Sequence, residues 1–512
     1  MQPSNNLFLL ISSLSKSEKR YFKVYSKRHI QKGGNHYIKL FDAIDKQKEY
    51  DELSLKDRFK GEPFINYFRS EKQYLTELIL ECLNLYHSKK NVNLIIANKI
   101  SSIEILYNRG LFDHAKLVLE NVKNIINQYD VLFELPKIYN WERKLIVAKS
   151  YNKTTENDLN EIGEKEEEGL KKIINLSAYR ALADQIFFIF KKQVNLRNIE
   201  ELKKLDEFME NDLLQNESKA ISFTAKKIFY NIKSAYYHFK NDWKNNYEYT
   251  KKLYTLLFNK PKQIEGDVGY FLNITYNYIL ACVALQKDKE FYSLLKILKS
   301  IPEKYKTNSE NTKLKVFILS NVSLLSYNLG RGNFKNVQQC ITEVIEGLEK
   351  YKQKINKSVK MVFYFQIAYF YFGLNIYDKS LFWLNNVLNI YEKGIRQDIY
   401  VCARLLNMIA HYELGNQRLL DYLASSNKYH LKKQKVLYKF EERIIYFFGS
   451  EIIKVVNRQQ LKNLFIQLKS DLVNICSDPL EKKAIEYFNF IAWTDSKISG
   501  KTFAETILLN NK

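Results

Sequence analysis

The chain has 512 residues, 46% hydrophobic and 27% charged, and its 80 Lys and Arg against 57 Asp and Glu leave a net charge of +23. That balance excludes a disordered chain. Turn formers are scarce, with 16 Gly and 6 Pro where average usage gives roughly 35 and 25, which excludes sheet-rich folds and favours long helices with short connections, at this length as a repeat array.

The opening MQPSNNLFLLISSLSKSEKR is not a secretory signal, because no basic residue precedes its apolar run and the run is too short. Ser15 with Glu18 three residues on forms a capping box that starts a basic amphipathic helix reaching about Arg28. Residues 16–39 hold Lys16, Lys19, Arg20, Lys23, Lys27, Arg28, Lys32 and Lys39 against one acid, Glu18. The first six of these cations form a candidate basic patch. A loop at 31–35 precedes a helix near 36–48, a short helix over 53–60, a turn at Gly61-Glu62-Pro63 and a long helix through Leu85. Short helix, Gly-containing turn and longer helix resemble a helix-turn-helix. The stripe Phe64, Tyr67, Phe68, Tyr74, Leu75, Leu78 and Ile79 on the would-be recognition helix reads instead as core, so residues 1–90 are expected to be a basic helical cap.

From about residue 91 the chain repeats. The clearest copy is YFQIAYFYFGLNIYDKSLFWLNNVLN, 364–389, with apolar positions at helical spacing on both sides of a break at Asn375. SSIEILYNRGLFDHAKLVLENV places Gly110, Phe112, Ala115, Leu119 and Val122 in the same register, and LLSYNLGRGNFKNVQQCITEV places Gly332, Phe334, Val337, Ile341 and Val344. Weaker copies turn at Asn241, with Trp243 after it, and at Gly415-Asn416. Further breaks are expected near Tyr151, Asn195 and Asp288.

The order of turn Gly, aromatic, small residue and two further apolar residues resembles the tetratricopeptide repeat. The stretch LSKSEKRYFKVYSKR also resembles the start of uncharacterised bacterial tetratricopeptide proteins. The resemblance implies an all-α, right-handed superhelical α-solenoid of about eight helix pairs over 91–431, with units of about 40–47 residues against the usual ~34. Residues 432–512 are expected to continue it as a C-terminal helical cap. It further implies that the second, fifth, ninth and twelfth positions of each unit face a groove. Those positions give Glu104, Tyr107 and, adjoining, Asn108; then Asn231 and His238; then Ser326; then Tyr369 and Phe372.

No residue set points to catalysis. The seven His never stand three or four apart, and Cys82, Cys282, Cys340, Cys402 and Cys476 are odd in number and widely separated. Neither metal ligation nor a disulfide framework follows, and no cofactor is expected. Cys402 and His411 both fit a buried helical stripe. Asp495 to Thr502 matches a phosphate-binding loop except that Asp replaces its first Gly, and no strand precedes it. The apolar stretch 362–377 carries Gln366 and Asn375 and falls short of the ~18 residues a membrane span needs. A cytoplasmic location is therefore expected.

Three functions fit this reading. The first is a non-catalytic scaffold or adaptor that binds a protein or peptide in the groove. The second is a transcriptional regulator with a helix-turn-helix-like head and a peptide-sensing solenoid. The third is association with RNA or the ribosome through the basic segments, which include a second run at Lys428, Lys432, Lys433, Lys435 and Lys439.

Overall fold

The structure is a computed structural model describing residues 5–27, 36–88, 91–151, 154–192, 199–307 and 309–510. Among these every regular element is helical, so the fold class is all-α. None of the described helices is long and apolar enough to cross a membrane. The chain divides into two compact units, 1–174 and 175–512.

The first unit begins with α1 (Asn6–Ser13), α2 (Lys16–Lys27), α3 (His36–Asp45), α4 (Glu52–Arg58) and α5 (Phe68–His87). The Ser15 capping box forms, with the Ser15 N–H donating to Glu18 Oε2 at 2.7 Å and the Glu18 N–H donating to Ser15 Oγ at 3.3 Å. Phe22, Phe41, Leu75, Ile79 and Cys82 share one core with α1 and α4. In α5 that core takes Phe68, Leu75, Leu78 and Ile79, with Phe64 just before it, whereas Tyr67 and Tyr74 stay exposed. Then follow α6 (Val92–Asn108), α7 (Phe112–Tyr129) and α8 (Leu135–Ala148). The 37-residue α9 (Glu156–Lys192) crosses the boundary between the units. Two helices with a break between them would be the repeat pattern here. One uninterrupted helix takes their place, and the break expected near Asn195 lies outside the described residues, as does the loop at 31–35.

The second unit continues with α10 (Ile199–Met209), α11 (Phe223–Phe239), α12 (Trp243–Phe258), α13 (Pro261–Gly266), α14 (Val268–Ala284) and α15 (Asp288–Lys304). After these come α16 (Glu310–Gly330), α17 (Gln338–Lys350), α18 (Lys357–Gly373), α19 (Tyr377–Ile390), α20 (Gln397–Glu413) and α21 (Gln417–Lys433). The last are α22 (Lys439–Tyr446), α23 (Arg458–Ile475), α24 (Phe490–Ser499) and α25 (Phe503–Asn510). Helices α14, α16, α18, α20 and α22 each pack on the next, while α15, α17, α19 and α21 fill the other layer.

Six hairpins share a turn that recurs at Lys435 between α21 and α22. Gly110, Asn241, Gln286, Gly332, Asn375 and Gly415 all have left-handed φ, between 54° and 75°. Each N–H, and the next one, donates back to the carbonyls three and five residues earlier, as in Gly110→Tyr107 at 2.9 Å and Leu111→Leu106 at 3.0 Å. This double bond satisfies carbonyls that a helix end leaves orphaned. Counting from the left-handed residue, the fifth, ninth and twelfth positions are buried in all six hairpins, for example Ala115, Leu119 and Val122, or Ser380, Leu384 and Val387. Where the fifth position is polar it bonds the preceding helix: Asn246 Nδ2 donates to the Ser234 carbonyl at 2.7 Å and Ser380 Oγ to the Ala368 carbonyl at 2.9 Å.

Candidate functional site

In the second unit the faces of α16, α18 and α20 are covered by the end of the chain itself. Along α18, Phe365, Tyr369 and Phe372 point one way at helical spacing. Phe365 meets Tyr487 at 6.4 Å, Tyr369 meets Phe488 at 5.2 Å and Phe503 at 5.9 Å, and Phe372 meets the same two rings at 5.2 and 5.4 Å. Gly332 lies under α25, where a Cβ would stand 3.0 Å from the Ala504 carbonyl oxygen. Polar ties pin the edges. Trp493 Nε1 donates to Glu413 Oε1 at 2.7 Å, and Lys497 pairs with the same carboxylate.

Asp398 at the start of α20 receives Tyr487 Oη at 2.6 Å and a fork from Arg396, with Nε at 3.1 Å and a terminal nitrogen at 2.8 Å. Burial on its own would raise the Asp398 carboxyl. The Arg396 hydrogen bonds and charge hold it below the ordinary carboxylate range. Tyr369 and Phe372, expected to face a partner, are therefore core residues, because aromatic side chains from 488 and 503 take the place a partner would occupy.

The C-terminal segment reaches the end of α11 through Lys483 but leaves its middle open. Between α11 and α14 lies a cavity of about 220 Å³ lined by Asn231, Ser234 and His238 of α11, Thr250 of α12, Asn277 and Leu280 of α14, and Phe187 of α9. Two of its residues, Asn231 and His238, are sequence-expected site residues. Thr250 is only 1% exposed, and its hydroxyl has no hydrogen-bond partner in the structure. An unmet buried hydroxyl costs roughly 1–3 kcal/mol. His238 also borders a second cavity, of about 130 Å³, with Asp398, Cys402 and Lys483 on its wall. There Lys483 lies over the Phe239 ring at 5.7 Å. His238 is exposed at this place. Even so, protein packed around it, together with the Lys483 charge, keeps its imidazole below its ordinary pKa.

Elsewhere the expected residues are scattered. Glu104 and Asn108 are exposed on α6, and Tyr107 is half-buried edge-on against Phe112 and Trp141, at 5.4 and 5.6 Å. These three belong to the first unit. Ser326 is occupied, accepting from Gln366 Nε2 at 2.9 Å.

The basic patch is partly neutralised. Lys19 pairs with Asp45 at 2.5 Å and Lys23 with Asp42 at 2.6 Å, while Lys16, Arg20 and Lys27 are exposed. Arg28 lies outside the described residues. The outward face of α5 carries Glu77 and Glu81, which oppose a phosphate backbone.

The phosphate-loop look-alike is two caps in succession. Gly500, at φ 72°, ends α24, and Thr502 with Glu505 forms a capping box on α25. His411 Nδ1 lies 3.1 Å from the Asn416 amide at a turn. Among the described residues no three His, Cys, Asp or Glu gather to hold a metal ion.

Sequence reasoning missed Asn277, Thr250 and the Arg396–Asp398–Tyr487 cluster. No protein-family model matches the chain, and no curated protein is similar to it.

Proposed function

We propose that the chain is a tetratricopeptide-like helical-repeat scaffold that holds an extended peptide segment of a partner protein between α11 and α14. The supporting observation is the cavity in which Asn231, Asn277, His238 and the unmet Thr250 hydroxyl converge beside Phe187 and Leu280. Neutral amides suit a peptide main chain, which offers alternating donors and acceptors, and the apolar wall suits one side chain. The shared turn geometry and buried register of five of these hairpins, those turning at Asn241, Gln286, Gly332, Asn375 and Gly415, support stacking as a solenoid within residues 175–512. We read the role as non-catalytic. No disulfide joins the five cysteines, which suits a reducing cytoplasm.

Panning a random linear-peptide phage library against the full chain tests the reading. Enrichment that disappears in Asn231→Ala/Asn277→Ala supports it. Equal enrichment on that variant, or none on the unmodified chain, refutes it.

A further inference from the structure

A different face of the second unit carries a different chemistry. Helix α21 and the segment from α22 into the π-helical turn Phe447–Glu451 enclose a cleft of about 610 Å³. Gly449 lets that turn approach α21 closely, since a Cβ there would stand 3.0 Å from the Ala424 Cβ. Lys428 and Lys439 stand on opposite walls of the cleft, with Lys432, Lys433 and Lys435 continuing from the α21 side. No acidic side chain among the described residues pairs with any of these five, unlike Lys19 and Lys23 of the N-terminal segment. Cations at a helix C-terminus have a local reason, the negative end of the helix dipole, and that accounts for Lys432 and Lys433. It does not account for Lys439, which sits in the first turn of α22, where the dipole disfavours a positive charge.

Rings stand beside the charges. Tyr422, Tyr429 and Tyr446 are 70%, 62% and 53% exposed, and Lys433 lies over the Tyr429 ring at 5.7 Å. Tyr422, Tyr429 and Lys433 fall on one stripe of α21, next to the stripe of Asp421, Ser425 and Lys428 that lines the cleft. Unpaired cations interleaved with exposed flat rings, along a cleft, match what a single-stranded nucleic acid offers: a phosphate at each step and a base face to stack. The two acids in the cleft, Asp421 and Glu442, have a place in this scheme as acceptors for base amino groups. An acidic peptide would use the lysines, but it would leave the rings unused.

We infer that the α21–α22 cleft binds single-stranded nucleic acid, with Lys428, Lys432 and Lys439 on phosphates and Tyr422, Tyr429 and Tyr446 stacking on bases. This does not rest on the peptide groove between α11 and α14.

The test is fluorescence anisotropy of the full chain with a labelled single-stranded RNA of about 12 nucleotides, within the span such sites cover, titrated over a series of salt concentrations. Lys428→Gln/Lys432→Gln/Lys439→Gln is expected to weaken binding and to flatten the log–log salt slope by about 2, at roughly 0.7 per lost phosphate contact. Tyr422→Ala/Tyr429→Ala is expected to weaken binding by about tenfold or more while leaving the slope unchanged. All five positions are on the surface, so circular dichroism should show both variants folded. A Tyr→Phe pair, which keeps the rings, should bind like the unmodified chain. The inference is overturned if the unmodified chain does not bind at low salt, or if the lysine variant keeps its slope. Equal affinity for polyglutamate or for a duplex of the same length, or indifference to the loss of both rings, overturns it equally.

Discussion

Ending the chain after Glu486 removes Phe488, Phe490, Trp493, Phe503 and Ile507, each no more than 3% exposed. Burying side chains of this size contributes about 1.5–3 kcal/mol each, so together roughly 8–15 kcal/mol. Allowing for apolar surface already buried in the unfolded chain lowers this to about 5–10 kcal/mol. That is as large as the whole stability of an ordinary domain, about 5–15 kcal/mol. The truncation also uncovers Phe334, Tyr369 and Phe372, which adds to the cost. The covering segment is thus part of the core of the second unit and not a detachable lid.

The expected result is that a chain of residues 1–486 loses cooperative melting of the second unit, followed by circular dichroism. In the full chain, amides of α24 should exchange with solvent as slowly as those of α18 and α20. A truncated chain that melts like the full one, or α24 amides that exchange rapidly while α18 stays protected, would falsify this reasoning and make the segment a removable cover.

Gly373→Ala puts a Cβ 2.2 Å from a Phe334 ring carbon, and that ring is itself packed against Tyr369 and Phe503. Overpacking of about 1–3 kcal/mol should outweigh the ~1 kcal/mol helix-propensity gain. Gly163→Ala, with nothing within 4 Å in the interior of α9, should collect that gain alone. Urea midpoints moving in opposite directions confirm the pair of expectations, and movement in the same direction contradicts them. Ser380→Ala should cost about 1 kcal/mol, the net value of its bond to the Ala368 carbonyl, whereas Ser380→Leu should cost clearly more because α18 and α19 approach closely there; equal midpoint losses would count against the close approach.

The His238 imidazole is held below its unfolded value of 6.5, so its neutral form favours the fold. Its contribution is fully present above pH 6.5 and declines as the pH falls below it, since the unfolded chain then binds more protons. His238→Gln should flatten the stability profile between neutral and mildly acidic pH. His411 and His430, shifted in the same direction, should leave a residual slope. An unchanged profile would show that His238 does not titrate in this way.

How far the sequence reaches depends on whether the information is local. Gly110, Asn241, Gly332, Asn375 and Gly415 mark their turns because Gly and Asn tolerate left-handed backbone, and the structure has each of them there. Gln286 makes the same turn at φ 55° without such a signature, so that break is legible only approximately, near Asp288, and Asn277 of α14 goes unnoticed. The Ser15–Glu18 box is local and legible. The 37-residue α9 is not, because a repeat pattern predicts a break that no Gly or Pro at 170–192 enforces beyond Gly169 under the Tyr139 ring. Tyr369 and Phe372 fail as site residues for a nonlocal reason. An amphipathic stripe records that a face is covered, not by what, and here the cover comes from more than 100 residues further along the chain.

Charge follows the same rule. The net +23 counts ionised side chains, whereas a polyanion responds to those left uncompensated at short range. On paper the N-terminal run, with eight cations over 16–39, looks stronger than the run of five at 428–439. Folding removes that lead. Helix α3 brings Asp42 and Asp45 against Lys23 and Lys19, and Glu62 stands 3.5 Å from Lys39. Three of the eight are thereby spent within the protein, whereas the α21–α22 run keeps all five and adds exposed rings. Salt should accordingly weaken nucleic-acid binding through α21 and α22, with removal of Lys16 and Arg20 leaving the slope nearly unchanged. A slope that depends on Lys16 and Arg20 instead would return the interaction to the N-terminal helices.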